Sequence, residues 1–465
     1  MSATTGVRRA ETASVDRHAA YNKSRLFLVS SLALVAAGVA NAIRADTATD
    51  LKRIFFDPID SVHSAARLAN VLGVPFLGFA FTIAICSPLL DYISMGLFLR
   101  LAALCVGGGS LLMAYANTIA SGNAAADMLW YGALIAGIGW GLVETVINPL
   151  IATLYPDEKA AKLNALHAWW PGGLVIGGLL GVWLGSMGIS WQIKLALVSI
   201  PSIGAILLSL GLAFPPTERQ AAGVSAGEMF RELLKPMFFV LFCSMFLTAA
   251  SELAPGQWVD FALSQTVHMP GILLLVYVSA LMFVARHFAG PLVHALSSIG
   301  LLWVSCLLAS LGLVALSFAN SPVTGLLAAT LWGTGVCFMW PTMLATASER
   351  FPRGGALLMG LMGTAGMLSI QFVLPLMGSI YDTKKVEAAG GPAAFAALQA
   401  QVDAAAGAAT AAGQVAIAEL NRVQSYAAQV SFRDVAIFPA VLLLVFGVIW
   451  LRDRSAGGFK GEKIS

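Results

Sequence analysis

Charged residues are scarce in this chain of 465 residues: only 11% are Asp, Glu, Lys or Arg, against about 25% in a typical soluble domain. Hydrophobic residues make up 58% of the chain, so too few charges remain to cover a water-exposed surface. The net charge of +3 is too small to indicate a polyanionic partner. The composition therefore argues against a soluble enzyme, a nucleic-acid-binding protein and a secreted disulfide scaffold.

Sequence motifs for metal binding, disulfide chemistry and nucleotide hydrolysis are also missing. The five cysteines fall in apolar tracts without CxxC spacing, and we interpret them as buried thiols. The chain contains no P-loop, and its apolar tracts contain no HExxH, GxSxG or paired His cluster. We therefore expect no metal and no cofactor, and a membrane enzyme lacks its nucleophile or metal set. If the protein moves a solute, an ion gradient must supply the energy.

Long apolar runs dominate the sequence instead. Six uncharged tracts each exceed the roughly 20 residues that cross a bilayer core. They cover residues 68–90, 101–126, 163–193, 195–217, 261–285 and 354–381. The run at residues 26–43 is too long for a signal peptide and is interpreted as a retained first span. The sequence predicts an all-α, polytopic membrane protein.

Charges and Pro/Gly clusters divide the chain into twelve predicted spans. They cover residues 26–45, 67–88, 96–118, 128–154, 166–187, 191–214, 236–254, 269–289, 298–318, 323–347, 356–379 and 434–451. With Arg100 and Arg286 counted as helix ends, most of the 27 Lys and Arg residues lie on the face that holds both termini. By the positive-inside rule we expect both termini in the cytoplasm, and we expect a bacterial inner membrane.

The spans fall into two groups of six. We predict a cytoplasmic tail at 1–25, a first bundle at 26–214, a linker at 215–235, a second bundle at 236–451 and a tail at 452–465. An Ala-rich external insertion at 382–433 interrupts the second bundle, and we interpret it as solvated and of little functional weight. The spacing of its apolar residues allows amphipathic helices. These residues are Val402, Val415, Ile417, Leu420 and Val423.

An internal repeat links the two groups of spans. Trp140-Gly141 precedes Pro149 by the same spacing as Trp332-Gly333 precedes Pro341, at an offset of 192 residues. The segments SPLLD at 87–91 and GPLVH at 290–294 are also alike. Two six-helix halves of this kind resemble the major facilitator superfamily. The resemblance implies two pseudo-symmetric bundles, a substrate near the midplane and alternating access.

Asp91 is the one residue that remains of that superfamily's signature between spans two and three. Ser87, Tyr92 and Ser94 replace the first glycine, the basic residue and the second glycine of the signature. The resemblance implies that Asp91 acts in gating, through a charge contact that stabilises one conformer. The alternative is an Asp that ends a helix.

Glu144 lies well inside span four. An acid near the bilayer centre costs at least about 2.5 to 3.5 kcal/mol on insertion scales. We expect no Arg or Lys at comparable depth to neutralise it, so Glu144 should be protonated part of the time. A proton-coupled carrier needs such a group, whereas a neutral structural hydrogen-bonding role is the alternative.

Trp140, Glu144 and Asn148 follow one another at intervals of four and share one helix face. An indole, a carboxyl and an amide in a row suit a polyhydroxylated ligand. Lipid contact and core packing remain alternatives for Trp140.

Further candidates lie in the other spans. Pro255-Gly256 should break or kink span seven and expose Glu252, Gln257 and Trp258 to a cavity, unless Glu252 simply marks a helix end. His167 is either a gating residue or part of the interfacial aromatic belt that we favour for Trp169 and Trp170. Glycines at every fourth position of span five predict close helix packing. Candidate sugar contacts in the second half are Trp332, Trp340 and Gln371.

Three motifs resemble those of the fucose permease group, the proton symporters of fucose, galactose and glucose. They are ETVINP at 144–149, LNALHAWWPGG at 163–173 and the stretch around Glu252. The resemblance implies proton-coupled import of a monosaccharide, with Glu144 as a protonation or sugar-binding carboxyl and Asn148 as a sugar contact. The group's acid in span one aligns with Ala45, and Asp46 follows one residue later. That shift turns the helix by 100°, so Asp46 is either a second proton-coupling residue or an acid of the external loop.

The leading hypothesis is a monomeric proton-coupled sugar symporter in the lipid bilayer, without a nucleic-acid partner. The alternatives are a proton-coupled exporter of a hydrophobic drug, a carrier of another small polar solute, and a sodium-coupled sugar symporter. A channel or receptor is disfavoured by the six-plus-six repeat.

Overall fold

A computed structural model of the chain describes residues 21–59, 64–267, 271–405, 411–459 and 461. Throughout these ranges the regular secondary structure is helical, without a β-strand. The predicted all-α fold class is confirmed. The predicted N-terminal tail lies almost entirely outside the described residues.

Spans one to six have the following bounds. They are Lys23–Asp46, Ser64–Cys86, Met95–Ala114, Gly122–Leu154, Lys159–His167 continued by Trp169–Ser186, and Trp191–Leu197 continued by Ser199–Ser209. Short helical segments join them. These are Ala48–Leu51, Lys52–Phe56, Pro88–Asp91, Ala116–Ile119 and, in the linker, Glu218–Ala221, Ala226–Arg231 and Glu232–Leu234.

The second half contains longer and more interrupted helices. Span seven is Pro236–Val267, and span ten is Pro322–Val336 continued by Met339–Arg350. A short turn at Pro352–Gly354 leads to span eleven, which is Gly355–Ala388. Span twelve is Ile437–Ser455. Span eight is Gly271–His287, continued by residues 289–296. Ser297 has non-helical dihedral angles (φ 66°, ψ 166°) inside Ala289–Leu316, so the remainder of that helix is span nine.

Eleven of the described helical segments are long and apolar enough to cross a membrane, and Val276–His287 is a shorter apolar helix. This count agrees with the twelve predicted spans.

The chain divides into two compact units. Unit 1 comprises the described residues of Met1–Val240, Leu344–Thr364 and Lys460–Ser465, and unit 2 comprises those of Leu241–Met343 and Ala365–Phe459. Unit 1 thus contains the linker and the linker-side ends of spans ten and eleven, beyond the first bundle that the sequence predicts. Lys159 explains part of this, because its Nζ pairs with Glu218 Oε2 at 2.7 Å and donates to the Ser348 carbonyl at 3.4 Å.

Glycines let spans one and five of unit 1 approach closely. A Cβ on Gly173 would lie 2.6 Å from the Val35 carbonyl oxygen, and one on Gly177 would lie 2.8 Å from the Ala42 Cβ. Distances under 3 Å leave no room for a side chain, so only glycine permits this backbone contact. The packing role predicted for the stripe is confirmed.

The insertion at 382–433 is largely helical. Span eleven extends to Ala388, and Pro392–Ala405 and Ala411–Val435 follow. Of the five apolar residues singled out in this segment, only Val423 is buried. The second helix instead buries Ala427, Ala428 and Phe432, close to span twelve.

Candidate functional site

The polar centre of unit 1 joins Glu144, Asn148 and His167. Asn148 Nδ2 donates to Glu144 Oε2 at 2.8 Å and to the Glu144 carbonyl oxygen at 2.8 Å. His167 Nε2 lies 2.8 Å from Asn148 Oδ1, and His167 Nδ1 lies 3.7 Å from Glu144 Oε1. All three residues are at most 4% exposed. The structure therefore brings together three sequence candidates, and we name them the Glu144 cluster.

Local helix geometry explains this meeting. Span four is one helix from Gly122 to Leu154 and continues through Pro149, so the interval of four places the Asn148 amide over the Glu144 carboxyl. Span five is interrupted at Ala168, between Lys159–His167 and Trp169–Ser186. His167 is consequently the last residue of the first helix, and its imidazole contacts Asn148 of span four.

Aromatic rings surround Trp140, one helical turn before Glu144. Trp140 and Trp170 stack with ring centroids 5.7 Å apart and planes 8° apart. Phe76 and Phe79 approach Trp140 edge-on at 5.8 Å and 4.8 Å. The aromatic-belt interpretation is wrong for Trp170, because its ring packs against a buried tryptophan of span four.

The two stacked indoles each carry a buried donor. Among the described residues, neither Trp140 Nε1 nor Trp170 Nε1 has a hydrogen-bond partner. Buried polar atoms are almost always satisfied in folded proteins. Two such N–H groups beside a carboxyl cluster are therefore candidates for bonds to a polar ligand.

Asp46 does not join the Glu144 cluster. Its Oδ2 pairs with Lys194 Nζ of span six at 2.7 Å, and both side chains are largely buried. A Cβ on Gly181 of span five would lie 2.6 Å from Asp46 Cγ. The acid thus packs on the glycine stripe and has its own cation. A proton-coupling role for Asp46 stays a prediction without support from this geometry.

Unit 2 contains a buried ion pair that sequence reasoning missed. Arg286 Nη2 lies 3.1 Å from Glu252 Oε1, with side chains 3% and 6% exposed. Because span eight continues to residue 296, Arg286 lies well inside it and not at its end. The expectation that no basic residue lies at depth in a span is wrong at this position. The predicted end at residue 289 hid it.

A proline explains a further contact of Arg286. The Arg286 Nε donates to the carbonyl of Cys337, at the interruption of span ten. Helical geometry would give that carbonyl the N–H of residue 341, and Pro341 has none. The guanidinium therefore satisfies the carbonyl that the proline leaves exposed, as irregular backbone in a membrane requires.

Pro255 acts in the same way but does not break its helix. Span seven is continuous from Pro236 to Val267, so of the predicted break or kink at Pro255-Gly256 the break is wrong. The proline leaves the Ser251 carbonyl without its helical donor, and Trp332 Nε1 donates to that carbonyl at 3.1 Å. Glu252 is therefore in mid-helix and not at a helix end. The side chains of Gln257 and Trp258 lie outside the described residues.

The other candidates of the second half differ in burial. Trp332 is 2% exposed and packs on Gly312, and Trp340 is 7% exposed and packs on Gly366, where a Cβ would lie 2.3 Å from its ring. Gln371 is exposed.

Asp91 contacts the linker. Its carboxylate pairs with Arg219 and accepts a hydrogen bond from Thr217 Oγ1 at 3.2 Å, and its carbonyl accepts one from Gln220 Nε2 at 2.6 Å. The residue therefore does more than end the short helix Pro88–Asp91, and a charge contact of the kind expected for a gate is present.

Within the described ranges, no group of three or more His, Cys, Asp or Glu side chains could hold a metal ion. In the described part of the chain, eleven apolar helices long enough to cross a membrane and one shorter apolar helix contain buried acids, amides and cations, which is typical of a membrane carrier. The model of the Major Facilitator Superfamily matches residues 26–373. The chain therefore belongs to this superfamily and is an integral membrane transporter, not an enzyme.

Solved structures show the same fold at low sequence identity. The Escherichia coli fucose:proton symporter FucP superposes with a TM-score of 0.63 and 15% identity, over 90% of this chain and 98% of that one. The proton:xylose symporter XylE, bound to 6-bromo-6-deoxy-D-glucose, gives a TM-score of 0.71 and 15% identity, over 92% and 96%. No curated protein sequence matches the chain.

Proposed function

We propose that this transporter imports a monosaccharide together with a proton, by alternating access. The observation that carries the proposal is the Glu144 cluster, a buried carboxyl bonded to an amide and adjoining an imidazole. The proton:sugar symporters with the same fold are consistent with it. At 15% identity they support the fold alone.

Proton coupling is proposed for Glu144. Burial disfavours an isolated carboxylate, and the Asn148 amide hydrogen bond favours it. These opposing influences let small changes in the surroundings of Glu144 decide whether it holds a proton. A carboxyl that can be neutral or charged at low energetic difference is what a proton-coupled carrier requires.

A sugar is proposed as substrate because of the surroundings of Trp140. Indole rings stack on the CH faces of sugars, and unpartnered indole N–H groups can bond to hydroxyls. Trp140, Trp170 and Asn148 supply both kinds of contact in unit 1. Glu252 is proposed as a further contact in unit 2, held in place by Arg286. We retain Gln257, Trp258, Trp340 and Gln371 as weaker candidates.

The first test measures external pH in a lightly buffered, energy-depleted suspension of expressing cells while monosaccharides are added one at a time. We expect one sugar to cause alkalinisation that is absent in non-expressing cells. Uptake of labelled sugar without a pH change would favour sodium coupling or facilitated diffusion. If no sugar of the panel caused a pH change or was taken up, the proposal of sugar import would be overturned and export would be favoured.

The second test replaces the proposed coupling carboxyl. We expect Glu144→Gln to abolish concentrative uptake and to retain exchange of labelled for unlabelled sugar, because the amide cannot exchange a proton. Asp127→Asn is the matched control, since Asp127 is exposed on the same helix. Accumulation against the gradient by Glu144→Gln would contradict the assignment.

We also propose that the protein lies in a bacterial inner membrane with both termini in the cytoplasm, as most of its basic residues fall on that face. A reporter that is active only in the cytoplasm, fused after Ser465, tests this orientation.

A further inference from the structure

We propose that His167 shares the coupled proton with Glu144, and that Asn148 links this proton to the bound sugar. The inference rests on the proposed function and concerns the same cluster. It assigns His167 a role in coupling, in place of the gating or interfacial role that the sequence suggests.

The hydrogen-bond pattern determines which nitrogen of the His167 imidazole always carries a hydrogen. Both acceptors near Asn148 Nδ2 are oxygens of Glu144, so the amide nitrogen faces Glu144 and Oδ1 faces the histidine. An amide oxygen only accepts, so His167 Nε2 must carry the hydrogen of the 2.8 Å bond. His167 Nδ1 is then the variable position, and it lies 3.7 Å from Glu144 Oε1.

One added proton can therefore occupy either of two places. It resides on Glu144 beside a neutral imidazole, or on Nδ1 as an imidazolium beside a carboxylate. Both forms leave the cluster without net charge, whereas loss of the proton leaves a single buried carboxylate. Interacting groups of this kind titrate as a pair. Because His167 provides a second place for the proton, the pair holds it more tightly than Glu144 alone.

Other charged groups on the elements that pack against span four could also act on the pair, but most of them have partners of their own. The pairs are Asp46 with Lys194, Lys52 with Asp57, Arg53 with Asp50, Lys159 with Glu218, Lys162 with Glu158 and Arg219 with Asp91. Three arginines donate hydrogen bonds: Arg44 to Asn41, Arg67 to Asn123 and Arg25 to the Leu208 carbonyl. The Lys23 ammonium lies over the Tyr155 ring. The Arg100 side chain lies near Gly96 of its own helix.

Through Asn148, a bound sugar can change the protonation equilibrium of the Glu144–His167 pair. Its amide hydrogens stabilise the Glu144 carboxylate, and a sugar hydroxyl that takes them removes that stabilisation. Protonation of the pair then becomes more favourable. By thermodynamic reciprocity, a proton on the pair must also strengthen sugar binding. The cluster thus accounts for cotransport within one unit of the molecule.

The test compares His167→Gln with the unaltered chain, using the sugar identified by the pH assay. Glutamine keeps an N–H that can reach Asn148 and takes no proton. We expect the pH of half-maximal concentrative uptake to move toward acid by about 0.3 unit or more, because removal of one of two equally occupied places lowers proton affinity twofold. Sugar exchange should be retained. An unchanged pH profile in a variant that still exchanges sugar would overturn the proposal.

Binding to the purified full-length protein supplies a second measurement, which does not depend on the His167 variant. Tryptophan fluorescence reports binding of the same sugar between pH 5.5 and 8.5. We expect affinity to rise as pH falls in the unaltered chain and to become independent of pH in Glu144→Gln. Affinity that is independent of pH in the unaltered chain would overturn the linkage, even where sugar import itself is established.

His287→Gln is the matched histidine control. His287 is exposed on span eight, and its Nδ1 lies 2.7 Å from the Phe283 carbonyl of its own helix. We expect this variant to keep the pH profile of the unaltered chain, and a shift as large as that of His167→Gln would contradict a specific role for His167.

Discussion

Buried charges in this transporter are held by neighbouring helices. Glu252 and Arg286 form a pair in which each neutralises the other, and the guanidinium also bonds to the Cys337 carbonyl. The two partners differ in one respect. A carboxyl that loses its cation can take up a proton, whereas a guanidinium stays charged in a protein.

This difference predicts an order of stabilities. Glu252→Gln leaves an unpaired buried cation and should destabilise unit 2 by about 3 to 5 kcal/mol. Arg286→Gln should cost less, because Glu252 can become neutral. The double variant should recover much of the loss, because two amides can bond to each other. Thermal unfolding in detergent measures these effects.

Glu419→Gln is the control for this series, because Glu419 pairs with Arg422 on an exposed part of the insertion. Such pairs contribute about 0 to 1 kcal/mol. Equal losses in Glu252→Gln and Arg286→Gln, or additive losses in the double variant, would contradict the argument.

At the scale of the helices, glycine and proline decide the contacts. Glycines remove side chains where spans one and five meet, and prolines expose carbonyls in spans seven and ten. Trp332 and Arg286 satisfy those carbonyls from neighbouring helices. The same residue types that weaken isolated helices thus connect helices in the bundle.

The glycine contact predicts opposite effects at two positions. Gly173→Ala should destabilise unit 1 by about 1 to 3 kcal/mol, because its Cβ would meet the Val35 carbonyl oxygen. Gly108→Ala in span three is the matched control, since a Cβ there meets nothing within 4 Å. Helix propensity predicts a gain of up to about 1 kcal/mol for it. Unfolding in detergent compares the two, and equal effects would refute the packing argument.

At the scale of the whole molecule, ion pairs within unit 1 join the linker to the helices of the first bundle. Arg219 pairs with Asp91, and Glu218 pairs with Lys159. We propose that these contacts belong to a gate on the predicted cytoplasmic side. Release of the linker should accompany opening of that side.

This gate predicts a non-additive pair of variants. Asp91→Asn and Arg219→Gln should each speed cleavage of the linker by a glutamate-specific protease, by roughly 5- to 150-fold for a coupling of 1 to 3 kcal/mol. The double variant should be cleaved no faster than the faster single, because one interaction is lost in each. Asp127→Asn should leave the rate unchanged. Cleavage rates that multiply in the double variant would show that the two residues act separately.

The all-α membrane fold, the number of spans and the shared helix face of Glu144 and Asn148 are predictable from the amino-acid sequence alone. These properties depend on composition, on run length and on a periodicity of 3.6, which are local and can be read along the chain. The glycine stripe was predictable for the same reason.

The partners of the buried side chains, by contrast, are known only from the three-dimensional structure. It placed His167 against Asn148, Trp170 against Trp140, Lys194 against Asp46 and Arg286 against Glu252. Each of these contacts joins residues from different helices, and one sequence does not reveal which way a helix faces. The satisfied carbonyls of Ser251 and Cys337 belong to the same class, because a proline shows that a donor is missing while the neighbouring helix determines which side chain replaces it.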